Sequence, residues 1–266
     1  MCDVKPLLCS IDDRGVATVT LNRADVHNAF NDDLIWELNN AFKKLGENSD
    51  VRAIVLTGAG KSFSAGADLN WMKAAADYTD EQNKRDAMTL SEMLSTLNGC
   101  SKPTIAIVNG ATFGGGVGLV SCCDVAIAIE DAKFSLSEVR LGLTPATISP
   151  YVVAAIGERH ARRYFLTAER FDASEARRIG LVHELAPSLQ EAFSKAHIFL
   201  KNILAGAPGA QRDAKALISN VKGKAITEDL RADTAERIAK RRASVEGKEG
   251  LTAFLEKRKP EWSIDA

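Results

Sequence analysis

Asn109-Gly110-Ala111-Thr112-Phe113-Gly114-Gly115-Gly116-Val117-Gly118-Leu119 follows the apolar run Ile105-Ala106-Ile107-Val108 and leads into a second apolar stretch. The run before the glycines reads as a buried strand and the stretch after them as a helix. Three successive glycines at a helix start are costly, because each loses more backbone entropy on folding than alanine would. Two uses offset that cost. One is close helix–strand packing; the other is a set of free N–H groups at the positive end of a helix, where they can hold an oxyanion. A phosphate loop fits less well, since no Gly-Lys-[Ser/Thr] follows.

Strand and helix alternate on both sides of this loop. Val16-Ala17-Thr18-Val19-Thr20-Leu21 reads as a strand, and 31–45 carries Leu34, Leu38 and Phe42 at helical spacing. Val51-Arg52-Ala53-Ile54-Val55-Leu56-Thr57, closing at Gly58, and Val125-Ala126-Ile127-Ala128-Ile129 are further strands. Strands separated by helices predict an α/β core with largely parallel pairing. After about Pro150 the pattern becomes helix upon helix, over 152–163, 173–179, 189–205, 210–221, 226–242 and 248–257. No tandem repeat or low-complexity tract interrupts it.

A second loop of small residues, Phe63-Ser64-Ala65-Gly66-Ala67-Asp68-Leu69, follows the strand that closes at Gly58 and precedes a helix containing Trp71 and Met72. Ala65 and Ala67 leave main-chain N–H groups accessible, and Gly66 permits a conformation that a Cβ hinders. The same segment also reads as an ordinary strand-to-helix turn with Asp68 favourable at the helix start.

Composition narrows the function classes. Hydrophobic residues make up 45% of the 266 and charged residues 26%, which describes a chain with enough apolar surface for a large core. Lys+Arg 34 nearly balance Asp+Glu 35, so no global field draws nucleic acid or anionic membrane, and an anionic ligand must be held by local groups. The five cysteines (Cys2, Cys9, Cys100, Cys122, Cys123) form no CxxC pair and no metal-ligand spacing with the four histidines. The expectation is a protein of a reducing compartment without a metal. The N-terminus lacks an apolar signal core, and no apolar run approaches the ~20 residues that span a bilayer; a cytoplasmic location is expected. His27, His160, His183 and His197 are dispersed away from any nucleophile motif and read as structural or surface residues. Cys122 and Cys123 read as packing residues at a helix end, and Trp71 and Met72 as a helical face or the lining of a tunnel.

Taken together, Leu21-Asn22-Arg23 with Asn28-Ala29, Gly58 with the 63–69 loop, Asn109-Gly110 with Gly114-Gly115-Gly116, Cys123-Asp124, Phe134-Ser135-Leu136-Ser137-Glu138 with Gly142, and Thr252-Ala253-Phe254-Leu255-Glu256-Lys257-Arg258 resemble the crotonase superfamily of enoyl-CoA hydratases and isomerases. The similarity runs from about 16 to 259. It implies an α/β spiral of repeated β-β-α units, here residues 1–200, and an α-helical C-terminal oligomerisation region, 201–266, that builds a homotrimer or homohexamer. It also implies an acyl-CoA thioester as substrate, with coenzyme A part of that substrate and no other cofactor.

By the same resemblance, backbone N–H groups of Ala65 and Gly115 form the oxyanion hole and Glu138 is the catalytic acid–base. Val26, His27, Ala29, Ala65, Gly66, Ala67, Asp68, Leu69, Gly114 and Gly115 lie along the CoA thioester, and Phe254 with Lys257 reach the nucleotide, often from a neighbouring subunit. The sequence departs from the family where the first of two glutamates belongs, three residues beyond Gly115. Gly118 stands there, with no side chain. Finer similarity in Gly114-Gly115-Gly116-Val117-Gly118-Leu119 with Cys122-Cys123-Asp124, in 136–151 and in 65–72 is to a branch described as methylglutaconyl-CoA or carboxygeranoyl-CoA hydratase-like. Hydration of a 2-enoyl-CoA is therefore favoured over double-bond isomerisation. A crotonase scaffold turned RNA-binding module is the competing class; near-neutral charge argues against it, and Lys240-Arg241-Arg242 reads as a solvated helix end.

Overall fold

The fold is that of a computed structural model, which describes residues 5–263; Cys2 lies outside them. Its elements in chain order are β1 (Leu7–Ile11), β2 (Val16–Leu21), α1 (Asp32–Glu47), β3 (Ala53–Gly58), β4 (Ser62–Ser64), α2 (Leu69–Ala75), α3 (Asp80–Asn98), β5 (Thr104–Val108), β6 (Ala111–Phe113), α4 (Gly115–Cys122), β7 (Val125–Ile129), β8 (Lys133–Ser135), α5 (Ser149–Thr167), β9 (Phe171–Asp172), α6 (Ala173–Arg178), β10 (Glu184–Ala186), α7 (Leu189–Ala205), α8 (Pro208–Val221), α9 (Glu228–Ala243) and α10 (Val245–Leu255). The long strands and β10 form one sheet in the order β1-β2-β3-β5-β7-β10, parallel except for the β1 edge. The other short strands form a second sheet, β4-β6-β8-β9. Each turn of chain lays one strand in the first sheet and the next in the second before a helix carries it back, as with β3 then β4, β5 then β6, and β7 then β8. This is the expected spiral of β-β-α units.

The strand sequences explain why the sheet sits in the middle. Every residue of β3 and β5 is buried, as a parallel sheet covered on both faces requires. Alternation then splits the core in two. Ala53 and Val55 face Ala192, Ala196, Leu200 and Leu204 of α7, whereas Ile54 and Leu56 join the larger cluster with Leu34, Leu38 and Phe42 of α1 and Met93 and Leu97 of α3.

The helices begin where side chains satisfy their first N–H groups. The Asn31 side chain accepts from the Leu34 N–H at 3.1 Å, making Asn31 the cap of α1 rather than its first residue. Thr79 and Gln82 form a reciprocal capping box for α3.

Two expectations are corrected. The chain beyond Pro150 is not wholly helical, because β9 and β10 add strands of two and three residues, too short to show a period. The division after residue 200 falls within α7, whose Leu200 and Leu204 are both core residues. Beyond α7 the character changes: α8 and α9 bury no side chain and α10 buries Ala253. These helices are tied by polar contacts to the N-terminal ends of the long strands. Lys215 Nζ meets Asp124 Oδ2 at 2.7 Å just before β7, and Arg52, just before β3, donates to the carbonyls of Trp262 and Gly206, each at 2.9 Å. The glycine-marked loops lie at the opposite, C-terminal ends of the strands.

Candidate active site

Two buried asparagines fold the loop after β3. The Asn28 amide donates to the carbonyls of Ala59 (2.9 Å) and Ser62 (2.8 Å), and its oxygen accepts from the Arg23 N–H. Asn109 donates to the carbonyl of Gly60 at 2.9 Å and accepts from the Gly58 N–H at 3.2 Å. Both belong to the motifs that carry the family resemblance, but this locking role depends on partners up to 51 residues away and has no sequence signal of its own.

The locked loop lies against 26–30. The Ala65 N–H donates to the His27 carbonyl at 2.9 Å, Ser64 Oγ to the Asn28 carbonyl at 2.9 Å, and the Phe30 N–H to the Gly66 carbonyl at 2.6 Å. The Asp68 N–H donates to the Phe30 carbonyl at 2.8 Å. The expected role of Ala65 as an oxyanion donor is therefore corrected: its hydrogen is already committed to His27. The amide of Ala67 has the opposite character. Because the Gly66 carbonyl and the Asp68 N–H both turn toward Phe30 in a parallel bridge, the intervening N–H of Ala67 turns away. It meets no protein acceptor among the described residues, and Ala67 is solvent-exposed.

Facing this segment is the start of α4. Gly114, at φ 48° and ψ −117°, adopts a conformation open only to glycine. The Gly114 N–H is fixed by the Ser135 carbonyl at 3.0 Å, and the next N–H, that of Gly115, is the first of a helix and has no intrahelical acceptor. The two loops touch through their glycines: a Cβ on Gly66 would lie 3.0 Å from the Phe113 carbonyl oxygen and 3.8 Å from Gly114 Cα. Side chains larger than hydrogen would force the free amides of Ala67 and Gly115 apart.

Glu138 completes the group. It follows β8, which pairs in parallel with β6 so that Ser135 lies opposite Phe113. Behind β8, Phe134 stacks on Phe171 at 5.5 Å between ring centres, and Phe171 packs on Tyr164 at 4.3 Å. Glu138 Oε1 lies 3.1 Å from the point a Cβ on Gly114 would occupy. Its other oxygen, Oε2, is buried with no hydrogen-bond partner. Burial pushes the carboxyl above the ordinary 4.5, against a smaller opposing pull from its own backbone N–H.

No second carboxylate joins it from α4. At Gly118 a Cβ would lie 2.4 Å from Ile148 Cγ2, so the space is filled. The remaining expected residues divide into two groups. The carbonyls of His27 and Gly66 take part in the bonding pattern above, and Val26, Ala29 and Leu69 flank those segments in the chain. Val26, His27 and Leu69 are open to solvent, and Ala29 is buried. Asp68 sits among them but serves the scaffold: its carboxylate pairs with Arg23 at 2.9 Å and caps α2 through the Asn70 N–H at 2.8 Å. Burial alone would raise its pKa, yet the Asn70 N–H and Arg23 hold it below the ordinary value. Phe254 and Lys257 are not brought to this site, because α10 packs on α8 and α9 at the other end of the sheet.

Two of the histidines, Trp71 and Cys123 make local structural contacts. His27 Nδ1 lies 3.1 Å from Ser62 Oγ and His183 Nδ1 accepts from the Ala126 N–H at 3.0 Å. Trp71 packs on the core and donates to Asp86 at 3.0 Å. Burial pushes the Cys123 thiol up to about 12, so it stays protonated.

The family model for enoyl-CoA hydratase/isomerase matches residues 12–264. A short-chain-enoyl-CoA hydratase from Clostridium acetobutylicum is 34% identical over 249 residues, 92% of this chain and 93% of that protein. Among solved structures, an enoyl-CoA hydratase from Shewanella pealeana superposes with a TM-score of 0.94 at 44% identity, covering 98% of this chain and 97% of that one. An enoyl-CoA hydratase/isomerase from Marinobacter aquaeolei does so at 0.92 and 36%, covering 98% and 100%. With that match laid over two free amides and a buried carboxylate, the chain belongs to the enoyl-CoA hydratase/isomerase family and is an enzyme of the crotonase fold.

Proposed function

We propose that the site holds the thioester oxygen of an acyl-CoA between the N–H groups of Ala67 and Gly115, and that Glu138 adds water to a 2-enoyl-CoA. The observation that carries this reading is the unpartnered, buried Glu138 Oε2 beside those amides. Leaving a buried polar atom unpaired costs on the order of 1–3 kcal/mol, and a fold that keeps one at such a place keeps it for a ligand. Charge develops on the thioester oxygen as the enolate forms, and two fixed donors stabilise that state more than the neutral one. Glu138 takes a proton from water as its oxygen bonds to C3, and the same carboxyl returns a proton to C2 when the enolate collapses. No cofactor beyond the CoA of the substrate enters the scheme. Val26, His27, Ala29, Gly66, Asp68 and Leu69 border the path of the CoA chain.

The filled space at Gly118 favours a second reading, in which Glu138 moves a proton from C2 to C4 of a 3-enoyl-CoA without water. Turnover of crotonyl-CoA and a 3-enoyl-CoA in ¹⁸O-labelled water, read by mass spectrometry, separates the two. Label at C3 is expected; a shifted double bond with no oxygen uptake selects the isomerase.

The amide assignment has its own test. Ala67→Pro removes one N–H without touching the Gly66 and Asp68 bonds to Phe30, and is expected to lower kcat by about 10²–10³ with CoA binding retained. Ala65→Pro breaks the bond to His27 and is expected to lower the melting temperature instead. Equal kinetic effects from the two variants would remove Ala67 from the site.

Phe254 is 81% exposed and Val245, Leu255 and Ile226 are exposed to a similar degree. We assign these exposed apolar side chains, in the region 201–266, to contact with further copies of the chain, where Phe254 and Lys257 reach a neighbour's nucleotide. Sedimentation is expected to give a trimer or hexamer, and Phe254→Asp to shift it toward monomer; a monomeric parent chain contradicts the assignment. The same helices disfavour an RNA-binding module, since Lys240 pairs with Glu236, and Arg241 with both Asp213 and Glu246.

A further inference from the structure

Gly114 immediately precedes α4 and Gly118 lies in its first turn, the Gly118 N–H bonding to the Gly114 carbonyl at 3.2 Å. Four positions apart, they are separated by about 6 Å along the helix direction. Neither has a side chain, and the segment that follows β8 fills the space beside both. Glu138 Oε1 lies 3.1 Å from the Cβ position of Gly114; Ile148 Cγ2 lies 2.4 Å, and Leu94 Cδ2 3.5 Å, from that of Gly118. The carboxylate thus stands beside the glycine that precedes α4, and the Ile148 side chain beside the first turn of that helix. The carboxylate stands at the end where the Gly115 N–H emerges, and Ile148 stands one turn deeper. Ile148 is 2% exposed and Leu94 fully buried, so this side of the helix is closed by hydrocarbon.

With the thioester oxygen at the amides and the reacting carbons at Glu138, the next carbons of the acyl group run onto this wall. We propose that Ile148 is the specificity-determining residue of the site: it ends the acyl pocket one helical turn beyond Glu138 and selects a short, uncharged acyl group. The inference rests on the acyl-CoA reading above. Added methylenes overlap with Ile148 and Leu94, which fill their space completely. A distal carboxylate brought against these two side chains loses water and gains no hydrogen bond from them.

Isothermal titration of the full chain with butyryl-, decanoyl- and glutaryl-CoA tests this without relying on turnover, because all three are saturated. Butyryl-CoA is expected to bind the parent chain about tenfold or more tighter than either of the others. Ile148→Ala is expected to cut the preference over decanoyl-CoA by about tenfold, and Ile148→Val, which removes one methyl and threatens the fold less, to cut it in the same direction by less. An unchanged butyryl-to-decanoyl ratio in both variants overturns the role of Ile148 alone. So does a parent chain that prefers decanoyl- or glutaryl-CoA. No binding of any thioester overturns the acyl-CoA reading and this inference with it.

Discussion

Glu138→Gln is expected to lower turnover by about 10²–10⁴-fold while leaving the protein as stable as before, or more so, at neutral pH. The sign follows from the environment of the carboxyl. Burial raises its pKa in the folded chain above the ordinary 4.5, so within the window between those two values the folded state binds more protons than the unfolded one. Stability contributed by this group therefore falls as pH rises from the unfolded value through the folded value, and above that window the folded protein carries the full cost of a buried charge. Glutamine keeps the shape and removes the charge. Calorimetry at pH 8 should show a melting temperature no lower than that of the parent, and the acid limb of the parent kcat/KM profile should lie above pH 4.5. If Glu138→Gln loses activity and melting temperature together, the carboxylate is a structural group.

Gly118→Glu should be the most destabilising single change at the site, and should gain no activity. It restores a second carboxylate by sequence, at a place where the structure has no room for one. The new Cβ alone meets Ile148 at 2.4 Å. Overpacking of a filled core costs about 1–3 kcal/mol, and the carboxylate beyond it enters hydrocarbon without a partner. Replacing a helical glycine returns at most about 1 kcal/mol, too little to offset either. A net loss of about 3 kcal/mol is expected in urea denaturation, with much of it recovered in Gly118→Glu/Ile148→Gly. A stable single variant that hydrates faster than the parent would show that Ile148 yields easily.

These two residues also mark the limits of what the chain discloses as a sequence. The buried strands and α7 are legible because their residues repeat an apolar pattern over enough positions; β4, β6, β8, β9 and β10 have two or three residues each and carry none. Glycines gave away both loops of the site and the resemblance supplied Glu138. Which of Ala65 and Ala67 offers its N–H was not legible, because the choice is made by pairing with His27 and Phe30, more than thirty residues earlier. The meeting of Gly118 with Ile148 was hidden for the same reason, thirty positions apart across a helix. Phe254 reads as an amphipathic helix residue or as a ligand contact, and its exposed place on α10 depends on how that helix packs.

A crystal structure of the protein with butyryl-CoA puts the question to the backbone itself. The thioester oxygen should lie about 2.7–3.1 Å from the nitrogens of both Ala67 and Gly115, with the Glu138 carboxylate against C2 and C3. An oxygen found elsewhere, or held by only one of those amides, would contradict the proposed oxyanion site.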